Sequence, residues 1–100
     1  MTIDTVRRYE ITPRSAALGG GWNLVLFHGG DEAGRGVFPI AEELPLVGMT
    51  WWNSLTEELR AYWLMMAASA VPAAARHAFL LAEAYTAAQD EGQAWSVNGH

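Results

Sequence analysis

Hydrophobic and polar positions in the first 40 residues alternate in the manner of β-strands. Residues 6–12 are rich in strand-forming residue types, and Pro13 marks an edge or a bulge because it cannot donate to a ladder. Residues 35–40 form a third predicted strand, ended by Pro39. The clearest alternation lies between these strands, at residues 22–28. Its two faces carry Trp22, Leu24, Leu26 and His28 on one side and Asn23, Val25 and Phe27 on the other.

Glycine-rich stretches separate the predicted strands. Residues 15–18 are expected to continue the first strand, and the three glycines at 19–21 to form a turn. This turn does not fit a phosphate loop, because it precedes a strand and no Gly-Lys-Ser/Thr follows. Residues 29–34 are expected to form a flexible hairpin loop. Residues 41–48 contain proline and glycine and are expected to be a crossing loop.

The densest apolar content lies in residues 49–66 and predicts an amphipathic helix. Ser54 and Glu57 fit a capping box at its start. The helix is expected to end before Pro72, which restricts the preceding residue against helix. At 100° per residue one broad apolar face results, which we expect to be buried in the core. This face carries Leu55, Leu59, Tyr62, Trp63, Met66 and Ala70.

A second helix is predicted over about residues 73–91. Pro72 suits its first turn, and Gly92 suits its end. Trp95 is expected to fold back as a C-terminal anchor, and residues 98–100 are expected to be loose. The main apolar face carries Ala74, Ala78, Leu81, Ala84, Tyr85 and Ala88.

Together these elements predict a single α+β domain over residues 1–100, in the order β-β-β-α-α. Its short connections favour a three-stranded antiparallel meander over about residues 6–40. A two-helix hairpin over about residues 51–95 is expected to pack on one face of this sheet, with a loose tail at 96–100. About half of the 100 residues are apolar, which is enough for one modest core.

The composition excludes several chemistries. There is no cysteine, which excludes disulfides, thiol chemistry and cysteine zinc sites. All six basic residues are arginine, which excludes catalytic lysine. His28, His77 and His100 lack ligand spacing. His28 with Asp31 and Glu32 is a weak metal candidate, for which a solvated polar loop is the preferred interpretation. We therefore predict no catalytic residue, no metal site and no cofactor.

The charge is uneven along the chain. The net charge is −5; residues 1–40 sum to zero and residues 41–100 carry the whole excess. No basic footprint for nucleic acid exists, so direct nucleic-acid binding is not predicted. The N-terminus lacks the apolar region of a signal peptide, and the apolar run at 61–75 is shorter than the roughly 20 residues that span a bilayer. These features predict a soluble, cytoplasmic protein without membrane contact.

Three apolar residues and one of two adjacent tryptophans appear in excess of what one core needs, so all five are candidates for a protein interface. Leu64 and Met65 fall on the polar side and flank of the first helix, and Phe79 falls on the solvent side of the second. Trp51 and Trp52 are adjacent, so they cannot both point inward. Surplus apolar surface and tryptophan mark contact sites. The first hypothesis is therefore a non-catalytic module that binds another protein or itself, a homodimer included.

Two other functions are compatible with the sequence. The acidic second half suggests an inhibitor that imitates nucleic acid, although such mimics need denser charge than two helix ends supply. An enzyme is the least favoured hypothesis. It would need a pocket that uses His28, His77 or Tyr62.

Four short motifs lie between about Tyr9 and Trp95: a glycine-rich turn followed by WNLVL, then GRGVFP, WWNSLTEELRAYWL and AEAYTAAQDEGQAW. In these motifs the chain resembles a group of small uncharacterised proteobacterial proteins associated with plasmids and integrative conjugative elements. The resemblance implies a small accessory protein of a bacterial mobile element. Because its motifs are packing motifs, it carries over no catalytic or binding residue.

Overall fold

A computed structural model of the chain describes residues 6–40 and 42–97. Within these ranges a three-stranded antiparallel sheet is followed by helices, which confirms the α+β class. Three helices stand where a hairpin of two was predicted. The predicted loose end at 98–100 lies outside the described residues, whereas Ser96 and Val97 belong to the last helix. The elements are β1 (Arg7–Pro13), β2 (Trp22–His28), β3 (Asp31–Phe38), α1 (Pro45–Ser54), α2 (Glu57–Ala67) and α3 (Pro72–Val97).

The sheet has the strand order β1-β2-β3, so each strand pairs with its neighbour in the chain, as the short connections predicted. Leu24 at the centre of β2 lies opposite Ile11 of β1 and Gly36 of β3. Opposite residues in an antiparallel pair share a face, so these three positions belong to one side of the sheet. Tyr9 and its partner Leu26 lie on the same side. This is the face with the larger apolar residues of β2.

Residues 15–18 do not continue β1, and that prediction was wrong. Ala16–Leu18 forms a 3₁₀ turn, and the hydroxyl of Ser15 caps it by accepting from the N–H of Ala17 at 3.2 Å. Gly19 ends the turn in the left-handed region, with φ of 104°. A capping hydroxyl before the segment and a glycine after it favour a turn over an extended strand.

The predicted flexible loop at 29–34 is a tight turn instead. Gly29 and Gly30 have φ of 61° and 88°. Positive φ at both central residues is what a type I′ hairpin requires, and its twist matches that of the flanking strands. β3 therefore begins at Asp31, four residues earlier than predicted.

α1 occupies part of the segment that was predicted to be a crossing loop. Pro45 stands in its first turn, where the missing N–H costs no helical hydrogen bond. The predicted capping box was also wrong. Ser54 ends α1, and its hydroxyl donates to the carbonyl oxygen of Trp51 at 2.6 Å. The cap of α2 is Thr56, whose hydroxyl accepts from the N–H of Leu59 at 3.2 Å.

α3 continues past Gly92, its predicted end, as far as Val97. Gly92 is buried inside the helix. A Cβ at this position would lie 2.9 Å from Cδ1 of Tyr9 and closer still to Cγ and Cδ2. The glycine therefore permits close contact between α3 and β1 and does not end the helix.

The described residues form two compact units. The sheet unit comprises those of 1–40 and 83–100, and the helical unit comprises those of 41–82. α3 runs through both, with residues 72–82 in the helical unit and residues 83–97 in the sheet unit.

The second half of α3 packs on the sheet. Leu24 and Ala88 are fully buried and form the centre of this core. Trp22 packs edge-on against Tyr85, with ring centres 5.0 Å apart. Tyr85, Ala88 and Gly92 are three and four residues apart, so they lie on one face of the helix. That face is the one that contacts the strands.

Trp95 anchors the last turns of α3 to the sheet. Its indole N–H donates to the carbonyl oxygen of Phe27 at 3.1 Å. The guanidinium of Arg7 lies over the indole, with Cζ 4.1 Å from the ring centre. Trp95 therefore has the predicted anchoring role, but it performs this role from inside the helix.

Candidate interaction surface

An aromatic cluster of three rings joins the helices of the helical unit. Phe79 of α3 lies against Trp51 of α1 and Trp63 of α2, with ring centres 5.0 and 5.2 Å away. The pair of Trp63 and Phe79 is edge-to-face, an arrangement that the quadrupoles of the rings favour. All three rings are half-buried. Since each helix supplies one ring, the cluster ties the three helices together.

Trp52 lies beside this cluster and lines a groove of about 450 Å³. Its ring centre is 6.4 Å from that of Trp51. The side chain of Arg60 donates from Nε to the carbonyl oxygen of Trp52 at 3.1 Å, and its Cζ lies 5.2 Å from the ring centre. The two adjacent tryptophans therefore have different positions: Trp51 is part of the cluster and Trp52 is part of the groove wall.

The groove is formed by α1, the residues before it and the start of α3. Its polar members are Glu43, Asn53 and Arg76. Sequence reasoning missed this groove because it interpreted residues 41–48 as a loop; Pro45, as a helix-start signal, could have revealed the helix. The apolar wall is made by Leu44, Pro45, Met49, Trp52, Pro72 and Ala73.

An ion pair lies in the groove wall. The carboxylate of Glu43 accepts from Nε of Arg76 at 3.0 Å and also from Nη2 of the same guanidinium. These hydrogen bonds, together with the positive charge of Arg76, hold the pKa of Glu43 below its ordinary value. The pair joins the segment before α1 to α3.

The helical unit exposes many large apolar side chains. Among the described residues, fourteen such side chains are exposed, and nine of them belong to this unit. Neither α1 nor α2 contains a fully buried residue. The nine side chains are Leu44, Leu46, Val47, Met49, Leu59, Tyr62, Met65, Met66 and Val71.

Four of these residues form one face of α2, which we call the α2 stripe: Leu59, Tyr62, Met65 and Met66. At 100° per residue they lie within about 120° of arc. Their exposed fractions are 46%, 44%, 69% and 55%. The prediction that Leu59, Tyr62 and Met66 are core residues was therefore wrong, although Trp63 of the same predicted face is half-buried in the cluster. Periodicity shows which residues share a face, but not whether another element covers it.

The five predicted interface residues are in different environments. Met65 is the most exposed of them and belongs to the α2 stripe. Leu64, Trp51 and Trp52 are half-buried. Phe79 is half-buried too, within the aromatic cluster, so it does not stand on the solvent side as expected. The reason is that α1, which was not predicted, places Trp51 against it.

Acidic side chains accompany the α2 stripe. Glu57 and Glu58 lie in the first turn of α2 and are exposed. Glu58 is four residues before Tyr62, so it shares the face of the stripe. The two basic residues of the helical unit, Arg60 and Arg76, are engaged by a backbone carbonyl and by the ion pair in the groove.

The histidines occupy separate positions. His28 lies opposite Asp31 beside the tight turn. The neighbouring carboxylate of Glu32 accepts from Nε of Arg35, with both oxygens at 3.0 Å. His77 is exposed on α3. Across residues 6–40 and 42–97, no group of three or more histidine, aspartate or glutamate side chains is arranged to hold a metal ion.

In the part of the chain that the structure describes, no single helix has the length and apolarity to cross a membrane, although α2 and α3 taken together across their bent junction would meet those two criteria.

Comparisons of the chain with protein-family models, with curated proteins and with solved structures found no match.

Proposed function

We propose that this protein is a small non-catalytic interaction module, which binds another protein or a second copy of itself through the α2 stripe. The exposure of the stripe is the observation that carries the proposal. Large contiguous apolar patches are uncommon on monomeric soluble proteins, and they mark contact sites. Two of the four residues are methionines, whose flexible and polarizable side chains suit adaptable binding surfaces.

The helix that carries the stripe is held in place from its other side. Trp63 of α2 packs against Phe79 in the aromatic cluster. Arg60 of α2 bonds to the carbonyl oxygen of Trp52 in α1. A binding surface on an element fixed in this way loses less conformational freedom when a partner binds.

The groove offers a second apolar recess in the same unit. Its half-buried Trp52 is of the residue type most enriched at binding hot spots. Its charged members, Glu43 and Arg76, are paired with each other. This pairing favours a role in binding over one in acid–base chemistry.

Imitation of nucleic acid receives less support. Glu10, Glu32 and Glu43 each form an ion pair with an arginine of this chain. Such pairs reduce the density of uncompensated negative charge on which a mimic depends. The cytoplasmic location and the origin in a bacterial mobile element belong to the proposal and rest on the sequence and on the resemblance.

One substitution in the stripe tests this function. Met65→Arg places a charge at a position that is 69% exposed, and Leu18→Arg does the same at a position in the sheet unit that is 66% exposed. Each protein is immobilised and incubated with a bacterial extract, and its solution mass is measured by light scattering. We expect the wild type and Leu18→Arg to retain the same proteins or to have the same oligomeric mass. Met65→Arg should retain none of these proteins and should have the mass of a monomer.

Two results would contradict the proposal. Exposed substitutions usually change the free energy of unfolding by less than about 0.5 kcal/mol, so both variants should fold. If Met65→Arg unfolds while Leu18→Arg stays folded, the stripe is part of the core. Identical retention and identical mass for the two variants would show that the stripe is not a binding surface.

A further inference from the structure

The charges around the α2 stripe are of one sign. Glu58 lies on its face, one turn before Tyr62, and is exposed. Glu57 and Arg60 lie about 140° and about 160° around the helix from the centre of the stripe, so neither belongs to this face. The first turn therefore presents the carboxylate of Glu58 to a partner on the stripe.

The other end of α2 is negative as well. Its last turn contains no basic side chain, so no side chain of that turn offsets the negative end of the helix dipole. The apolar stripe thus runs between the carboxylate of Glu58 and a helix end of the same sign. A partner whose positive charges flank an apolar face would match this pattern.

A second copy of the chain matches it less well. In a twofold dimer the same patch meets itself. Stripe against stripe would bring Glu58 close to its counterpart or to the negative end of the partner helix. The net charge of −5 on each chain adds to this repulsion. The same charges disfavour an anionic lipid surface.

We propose that the α2 stripe binds a basic amphipathic helix of another protein, an inference that rests on the proposed function of the stripe. Such helices dock by apolar anchors at i, i+3, i+4 and i+7, and methionine-rich surfaces can repack around anchors of different shape. Lysine or arginine beside the anchors pairs with the carboxylate of Glu58. The contact residues are Leu59, Tyr62, Met65, Met66 and Glu58.

Two labelled peptides of about 14 residues, which is about four helical turns, test this inference. The basic peptide contains only leucine at helical spacing and lysine elsewhere, and the acidic peptide has glutamate in place of every lysine. Binding to the full chain is measured by fluorescence anisotropy in low and high salt. We expect the basic peptide to bind about tenfold more tightly than the acidic one, and its affinity to fall in high salt.

Variants locate the binding. Met65→Arg should abolish it. The double variant Glu57→Gln with Glu58→Gln should weaken it about threefold or more, because it removes the pairing of Glu58 with the partner and the remaining negative charge of the first turn. The matched control is Glu83→Gln with Asp90→Asn, which removes the same charge from exposed positions of α3 in the sheet unit. This control should leave the affinity within about twofold of the wild type, because screening limits surface charges to short range.

Other outcomes overturn the inference in distinguishable ways. Equal affinity for both peptides, lost in Met65→Arg, would remove the preference for a basic partner and keep the proposed function. A dimer that Met65→Arg dissociates, with no peptide binding, would assign the stripe to a second copy. Binding to phosphatidylcholine vesicles that Met65→Arg abolishes would assign it to lipid. Absence of all three would overturn the proposed function too.

Discussion

At the residue scale, small side chains decide how closely the helices approach their neighbours. Gly92 and Gly48 both lie inside helices, where glycine is ordinarily a weak choice. A Cβ at Gly92 would collide with the ring of Tyr9. A Cβ at Gly48 would lie 3.6 Å from Cγ of Arg76, which is an ordinary contact. The same substitution should therefore have opposite effects at the two positions.

Gly92→Ala is expected to destabilise the protein by about 1–3 kcal/mol, because the added methyl group overpacks the contact with Tyr9. Gly48→Ala is expected to stabilise it by about 0.5–1 kcal/mol, because alanine has the higher helix propensity. Urea unfolding followed by tryptophan fluorescence measures both. Stabilisation by Gly92→Ala would show that the ring of Tyr9 moves aside freely.

The backbone of Ala68 is strained. It follows α2 with φ of 51°, in the left-handed region that glycine adopts without penalty. An L-residue there costs roughly 1–2 kcal/mol, and part of this is returned because alanine restricts the unfolded chain. Ala68→Gly is therefore expected to raise the free energy of unfolding by about 0.5–1 kcal/mol.

The matched control for Ala68→Gly is Ala67→Gly, the last residue of α2 itself. This variant should lower the free energy of unfolding, because glycine is disfavoured inside a helix. Denaturant unfolding of the two variants gives the comparison. If both lower stability equally, the left-handed conformation at Ala68 carries no penalty.

At the scale of elements, the helical unit relies on few contacts between helices. The aromatic cluster joins α1, α2 and α3. The pair of Glu43 and Arg76 fastens the segment before α1 to α3. With Ala75 as its fully buried apolar side chain, this unit depends on half-buried rings and on polar contacts. The ion pair should therefore make stability depend on pH.

The pKa of Glu43 is lower in the folded protein than in the unfolded chain, because Arg76 binds the ionised carboxylate. The stabilisation is thus fully present above the unfolded value of about 4.3 and is lost as pH falls through the lowered folded value. The difference in unfolding free energy between wild type and Glu43→Gln should be largest near neutral pH and should shrink in acid. Unfolding curves across this pH range measure it.

Glu42→Gln serves as the control for that experiment. It removes the same charge from the adjacent residue, whose side chain is exposed. Its difference from the wild type should change less with pH than that of Glu43→Gln. An equal change for both variants would attribute the pH dependence to general charge and not to the ion pair.

At the scale of the whole molecule, burial is distributed unequally between the two units. In the sheet unit, Leu24 and Ala88 are fully buried beneath the second half of α3. In the helical unit, α1 and α2 contain no fully buried residue and carry seven of the fourteen large apolar side chains that are exposed among the described residues. Regions with few buried contacts open at lower free energy, and binding elements are often drawn from them.

Amide hydrogen exchange should reveal this inequality. We expect the amides of β2, which is paired on both sides, to exchange at least about tenfold more slowly than those of α2. Mass spectrometry of peptic fragments or NMR measures the rates. Equal protection of β2 and α2 would show that the helical unit is as stable as the sheet despite its exposed stripe.

The sequence by itself determined the number and order of the strands, although it extended β1 through residues 15–18 and started β3 four residues late. Alternation along residues 22–28 predicted β2 with the bounds that the structure has, and the short connections limited the sheet to a meander. These features are local, since each depends on backbone preferences and on neighbours in the chain. The sequence also contained the signals for α1 and for the tight turn, in Pro45 and in Gly29-Gly30, but their local meaning was ambiguous.

Only the tertiary structure decided which surfaces are covered. The pattern of α2 is compatible with a buried face and with an exposed stripe, and the position of the other helices selects the second. Gly92 is compatible with a helix end and with a close contact, and Tyr9, distant in sequence, selects the contact. Phe79 became part of a cluster because two tryptophans from other helices reach it. Burial depends on residues far apart in the chain, and local periodicity carries no information about them.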